Sequence, residues 1–263
     1  MAISKNLSKL IRSLESKKGR KKEGLFVAEG PKVVGDLMQI SLPERLVATS
    51  EWFGSQNFLP RQQDVVVTDE ELRKVSFLQH PQQVMALFKM FSNGMDSPDI
   101  QEFIEQINHH NSESLALALD GVQDPGNLGT IIRIADWFGI KSIICSMDSA
   151  DVYNPKVIQA TMGSIARVRV LYTPLPDLFD RLPEDVPVYG TFLDGEDIYA
   201  QPLSAHGIIV MGNEGSGISA EVARHINRRM LIPNYPRGRE TADSLNVAIA
   251  TAITCAEFRR RSR

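Results

Sequence analysis

Hydrophobic and polar positions change their spacing twice along the chain, and the changes divide it. In the first stretch Leu7, Leu10, Ile11 and Leu14 recur at helical intervals, and Leu25-Phe26-Val27 is then a short apolar run of the strand type. A helix is predicted from Pro31 to about Met38, because a proline at the first helical position gives up an N–H that would have no partner there. Leu46-Val47-Ala48, Val65-Val66-Val67 and the run Val84 to Phe88 supply three more strands. Together these elements predict a small α/β domain over residues 1–92. From Ser92 to Ser114 the pattern turns polar around one short helix near Phe103 to Ile107, so residues 93–114 are read as a linker that contains His109 and His110.

From Leu115 onward apolar runs alternate with helical stretches, which predicts a parallel sheet covered by helices over 115–263. The expected strands are Leu115–Leu119, Ser142–Cys145, Arg167–Leu171, Val188–Leu193, Ile208–Met211 and Met230–Ile232. The expected helices cover Leu128–Phe138, Pro155–Ile165, Glu221–Ile226 and Leu245–Phe258. The last of these puts Leu245, Ile249, Ala252, Ile253 and Ala256 on one face, which is the face expected to pack.

Composition narrows the class. A chain of 263 residues can hold two modest domains, and 43% hydrophobic with 23% charged residues excludes wholesale disorder and fibrous architectures. There is no bilayer-length apolar run and no apolar signal core near the N-terminus, so the cytoplasm is the expected compartment. Cys145 and Cys255 have neither metal-site spacing nor a disulfide framework, so no metal is expected and both are read as buried small hydrophobes. A net charge of −3 hides an asymmetry: Lys5, Lys9, Arg12, Lys17, Lys18, Arg20, Lys21 and Lys22 crowd the first segment. They form either a phosphate-facing arm or a solvated face. Arg259, Arg260, Arg261 and Arg263 read as a solvated helix end.

Three segments carry candidate chemistry. Asp120-Gly121-Val122-Gln123-Asp124-Pro125-Gly126-Asn127-Leu128-Gly129, with Arg133 beyond it, lies where a strand passes into a helix, the usual ligand position in open α/β sheets. Asn127 is a candidate helix cap and Arg133 a fixed cationic fork for a phosphate. Met211-Gly212-Asn213-Glu214-Gly215-Ser216-Gly217 follows another strand. Its glycines are in neither the dinucleotide nor the P-loop order, which argues against a nicotinamide dehydrogenase. Ile232-Pro233 and a polar loop lead to Ser244-Leu245-Asn246-Val247, which opens the last helix and offers free N–H groups.

In this order and spacing, over roughly Leu115 to Phe258, the three segments resemble the signature motifs of the SpoU family of RNA ribose methyltransferases, within the SPOUT superfamily. Phe26-Val27-Ala28-Glu29-Gly30 and Pro81-Gln82-Gln83-Val84 resemble the ribosomal-protein-like substrate-binding domain that commonly precedes that catalytic domain. The resemblance implies a deep trefoil knot in the C-terminal parallel-sheet domain, a homodimer, and S-adenosylmethionine as cofactor against Thr191, Gly212, Ile232 and Leu245. It places Asn127, Arg133, Glu214, Ser244 and Asn246 at catalytic and substrate positions, and it implies ribose 2′-O-methylation of RNA, with ribosomal RNA ahead of transfer RNA as substrate. Arg133 is the family's proposed base, although a guanidinium, which gives up its proton reluctantly, suits clamping a phosphate better. A noncatalytic RNA-binding or ribosome-assembly factor is the rival reading, which the retained Asn127, Arg133, Glu214 and Asn246 oppose. One departure from the family pattern is the longer loop between Pro233 and Ser244, where Arg237 and Arg239 are candidate RNA contacts.

Overall fold

A computed structural model describes residues 3–56, 59–91, 98–108, 114–236, 239 and 242–261. The chain forms two compact units, Met1–Phe91 with Asp151–Ala166 and Ser92–Ala150 with Arg167–Arg263. His109, His110, Arg237 and Arg263 lie outside the described residues.

The first unit begins with α1 (Lys5–Ser13), α2 (Lys17–Glu23), β1 (Leu25–Glu29), α3 (Pro31–Met38), β2 (Arg45–Thr49), α4 (Ser50–Ser55), β3 (Val65–Val67), α5 (Asp69–Val75) and β4 (Val84–Lys89). Four of its helices start at a Ser or Thr whose hydroxyl accepts a first-turn N–H: Ser4, Ser16, Thr49 and Thr68. The strands order as β1-β4-β2-β3, with β4 antiparallel to both neighbours and β2 parallel to β3. One face of this sheet buries Val27, Val47, Val67, Met85 and Leu87 against Leu7, Ile11 and Leu14 of the first helical stretch. Glu29 is buried beside the Ser76 hydroxyl and the Phe77 N–H (2.9 Å), and burial pushes its carboxyl up despite those donors.

Arg20 corrects the reading of the basic arm. Its guanidinium is 2% exposed, pairs with Asp151 at 2.6 Å, and donates to the carbonyls of Leu14 (2.9 Å) and Glu15 (2.7 Å). With four of its five N–H donors committed inside the fold and almost no exposed surface, this side chain is not available to a phosphate. Lys5, Lys9, Arg12, Lys17, Lys18, Lys21 and Lys22 remain exposed, because the apolar face of α1 is turned inward.

The chain enters the second unit through α6 (Pro98–Asn108), β5 (Leu115–Leu119), α7 (Pro125–Trp137) and β6 (Ser142–Cys145). The segment read as a linker therefore holds a packed helix, with Ile100, Phe103, Ile104 and Ile107 buried against Ala116, Ala118, Ile144 and Leu171. The chain then returns to the first unit for α8 (Pro155–Ala160) and a 3-10 turn, Ser164–Ala166, which pack on β1 and α3. There Tyr153 is buried against Phe26, with ring centroids 4.9 Å apart, and its hydroxyl accepts from the Phe91 N–H at 2.8 Å.

The remaining elements are β7 (Arg169–Tyr172), α9 (Leu175–Phe179), β8 (Val188–Asp197), β9 (Gly207–Met211), α10 (Ala220–Ala223), β10 (Arg228–Leu231) and α11 (Val247–Arg261). They complete a parallel six-stranded sheet ordered β10-β8-β9-β5-β6-β7. β7 and β10 each sit within two residues of the expected strand, while β8 runs past Leu193 to Asp197 and shifts register against β10.

Two expectations for α11 are corrected. It buries Val247, Ala248, Thr251, Thr254, Cys255 and Phe258, while Leu245, Ile249 and Ala256 of the expected face are exposed. Its terminal arginines are not simply solvated. Arg259 donates to the carbonyls of Phe138 (2.8 Å) and Gly139 (3.4 Å) beyond α7, and Arg261 donates to the carbonyls of Tyr199 and Gln201. Glu257 holds Arg260 at 2.8 Å and Arg261 at 2.7 Å, and these cations pull its carboxyl down to about 2. Cys145 and Cys255 are buried, as read from the sequence, and burial pushes both thiols up. Among the described residues no helix is long and apolar enough to cross a membrane.

Candidate active site

The strand order fixes where a site can form. β5 leads through α7 to β6 on one side of the sheet, while its neighbour β9 leads through α10 to β10 near the opposite edge. Outside the carboxyl ends of β5 and β9 is thus a topological switch point, where open α/β sheets bind ligands. The Asp120–Gly129 turn leaves β5 here and the Met211–Gly217 loop leaves β9. A cavity of about 370 Å³ opens between Val122–Pro125, Asn213–Gly215 and Val247.

Hydrogen bonds tie the two turns together. The Asp120 carboxylate, almost fully buried, accepts from the Ser219 N–H at 2.7 Å, and the Gly121 carbonyl accepts from Asn213 Nδ2 at 2.7 Å. Gly121 has φ +70°, a backbone state that favours glycine. Gly212 has to be glycine for another reason, because a Cβ there would overlap the backbone of Gly217.

One side chain from each of the three segments meets in a closed ring. Asn127 Nδ2 donates to Glu214 Oε1, and Asn246 Nδ2 donates to both Asn127 Oδ1 (3.0 Å) and Glu214 Oε1 (3.0 Å). Asn246 Oδ1 accepts from the N–H groups of Ala248 (3.1 Å) and Ile249 (3.3 Å) at the start of α11. Asn246 thus caps its helix. Asn127 does not cap α7: Asp124 does, accepting from the Asn127 N–H at 2.8 Å with Pro125 in the first turn. That division of labour frees the Asn127 amide to reach Glu214.

Arg133 and Ser244 stand outside the ring. Arg133 lies further along α7, exposed and with no side-chain ion pair or hydrogen bond among the described residues, and Ser244 is exposed just ahead of Asn246. The sequence reading passed over Asp120 and Asn213, although both stand in its quoted segments. Short polar side chains beside glycine turns were the available signal.

Known proteins share this arrangement of motifs. The SpoU rRNA Methylase family model matches residues 114–256, and the model of an MRM3-like substrate binding domain matches 6–86. The chain belongs to the SpoU family. It is an RNA methyltransferase with S-adenosylmethionine as methyl donor. It is 30% identical over 250 residues to the 23S rRNA (guanosine(2553)-2′-O)-methyltransferase RlmP of Bacillus subtilis, covering 92% of this chain and 91% of the relative. A TrmH-family protein of known structure from Porphyromonas gingivalis is 39% identical with a TM-score of 0.84, covering 99% of this chain and all of the other. An rRNA methyltransferase from Sinorhizobium meliloti, solved with AdoMet bound, is 30% identical with a TM-score of 0.80, covering 99% and 97%.

The donor set of this SpoU methylase fits such a cofactor. Thr191 is half-buried on β8 with its hydroxyl 3.9 Å from Met211 Sδ, and Ile232 follows β10. Among the described residues the backbones of Gly212 and Leu245 have no protein partner, so both stay available to a ligand's polar edge. No cluster of His, Cys, Asp and Glu among the described residues is arranged to hold a metal.

Proposed function

We propose that this SpoU methylase methylates the 2′-hydroxyl of one ribose in ribosomal RNA, in the pocket between the turn after β5 and the loop after β9. The ring of Asn127, Glu214 and Asn246 carries the proposal, because it presents one oriented carboxylate beside that cavity. The printed activity of the Bacillus subtilis relative, a guanosine 2′-O-methylation of 23S rRNA, supports the substrate class.

When bound, S-adenosylmethionine supplies an electrophilic sulfonium methyl. The protein then has to orient a weakly acidic hydroxyl and manage its proton, and orientation alone contributes several orders of magnitude. Glu214 Oε1 already takes two amide donors, whereas Oε2 has no partner among the described residues and is free to take up the ribose 2′-hydroxyl proton as the oxygen gains the methyl group. Asn127 and Asn246 fix that carboxylate. Arg133, always charged, clamps the neighbouring phosphate and stabilises the developing alkoxide. Ser244 adds a hydroxyl on the substrate side. Thr191, Gly212, Ile232 and Leu245 hold the cofactor, the last three through their backbones.

The domain roles follow: residues 1–92, completed by 151–166, bind RNA, and the rest of 115–263, with α6 of the 93–114 segment packed in its core, carries the knotted catalytic domain, working in the cytoplasm. Dimerisation is assigned to the exposed apolar surface at the start of α11, where Ile249 is 53% exposed on a helix already buried on its other side and Leu245, just ahead of the helix, is 49% exposed. With RNA from a strain lacking this gene and labelled S-adenosylmethionine, Glu214→Gln should lower kcat about 100-fold. An unchanged kcat would remove Glu214 from the chemistry.

A further inference from the structure

We infer that Asn213 is a positioning residue for Glu214: it ties the 213–217 loop to the turn after β5, and turnover depends on that tie while cofactor affinity does not. This rests on the role given to Glu214 above.

The side chain of Asn213 is half-buried and bonded through both its oxygen and its nitrogen. Its Oδ1 accepts from the N–H groups of Gly215 (2.8 Å) and Ser216 (3.1 Å), and its Nδ2 donates to the Gly121 carbonyl (2.7 Å). Two N–H groups pointing at one atom identify that atom as the oxygen, so the amide has one orientation. The backbones of Asn213 and Gly217 exchange N–H to carbonyl bonds in both directions at 2.9 Å, closing five residues on themselves with Glu214 second among them. Gly121 in turn donates its N–H to Ser146 Oγ (2.8 Å), which donates to Asp148 (2.6 Å). Asn213 thereby anchors the loop of β9 to the ends of β5 and β6.

This anchor matters because the ring itself is soft. Glu214 and Asn246 are exposed, so water competes for the bonds that orient the carboxylate, and only the backbone beneath Glu214 is held rigidly. Without Asn213, the Gly121 carbonyl and two loop N–H groups lose their partner, and the loop is free to shift. A misplacement of about 1 Å costs roughly 100-fold in rate. Of the cofactor positions, Thr191, Ile232 and Leu245 sit on other segments, and Gly212 follows directly on β9, ahead of the closed 213–217 loop, so cofactor affinity should respond far less than turnover.

The test compares Asn213→Ala, Asn213→Asp, Glu214→Gln and the Asn213→Ala/Glu214→Gln double variant of the full chain. It measures kcat, the KM for RNA, S-adenosylmethionine binding by calorimetry, and the thermal midpoint. Asn213→Ala should lower kcat about 10- to 100-fold, with KM and cofactor Kd within about threefold. Asn213→Asp keeps the loop acceptor but sets an oxygen against the Gly121 carbonyl, and should be comparably slow; it carries the test if the alanine variant does not fold. The double variant should be no slower than Glu214→Gln, since both losses pass through one carboxylate. Losses that multiply, an unchanged kcat, or a loss confined to cofactor affinity would each overturn the inference. If instead Glu214→Gln keeps full activity, the role of Glu214 fails first, and any slowing in the Asn213 variants would then have to act elsewhere.

Discussion

The side-chain oxygen of Asn246 is committed to the N–H groups of Ala248 and Ile249, so its nitrogen must face Asn127 and Glu214. One helix cap therefore sets the sense of every hydrogen bond in the ring, and the carboxylate it holds is acceptor-only towards substrate. Residues that act as a unit lose activity non-additively. Accordingly Asn127→Ala and Asn246→Ala should each slow methyl transfer, and the double variant should be little slower than the worse single one, as single-turnover rates would reveal. The reverse holds for Arg20, which serves the fold. Arg20→Ala leaves Asp151 without its cation and should destabilise the protein by about 3–5 kcal/mol in a urea melt, with no specific loss of RNA affinity once folded. Asn127, Glu214 and Asn246 stood out through the resemblance of their segments to the SpoU motifs, but nothing in the sequence pointed to the fate of Arg20. A run of like charges reports sign, whereas burial depends on Asp151, a partner 131 residues away.

At the scale of elements, α11 is apolar on two sides, and a periodicity argument cannot say which side the chain itself covers. Its own unit covers Val247, Thr251, Cys255 and Phe258, leaving Ile249 and Ala256 outward, with Leu245 exposed just ahead of the helix. Ile249→Lys should therefore shift a dimer towards monomer in sedimentation equilibrium while the monomer fold persists; an unmoved dimer would place the interface elsewhere. The end of α11 is an electrostatic latch. Because the folded carboxyl of Glu257 lies near 2, below its ordinary 4.5, its stabilising contribution is complete above 4.5 and is lost as pH falls towards 2. Glu257→Gln should flatten that part of the dependence of the thermal midpoint on pH. α6 was visible as a helix but was taken for part of a linker, since a polar, turn-rich setting masked the apolar face that packs on the sheet.

For the whole molecule, alternating strands and helices made the parallel sheet readable in advance, because strands buried on both faces must be continuously apolar. The membership of Asp151–Ala166 in the first unit was not readable, since the contacts of Tyr153 with Phe26 and of Asp151 with Arg20 join positions far apart in the chain. With Arg20 removed from it, the exposed basic surface of α1 and α2 is the candidate phosphate track. Lys18→Glu with Lys21→Glu should weaken RNA binding across sequences and reduce the salt slope by about 2. The most direct measurement of the central claim is the position of the transferred methyl group. RNA labelled by the wild-type protein with S-adenosylmethionine is hydrolysed in alkali, which cuts only where a 2′-hydroxyl is free. The expected result is label in one alkali-resistant dinucleotide, reduced about 100-fold in the Glu214→Gln and Arg133→Ala proteins. Label released in mononucleotides, or undiminished in both variants, would contradict the account.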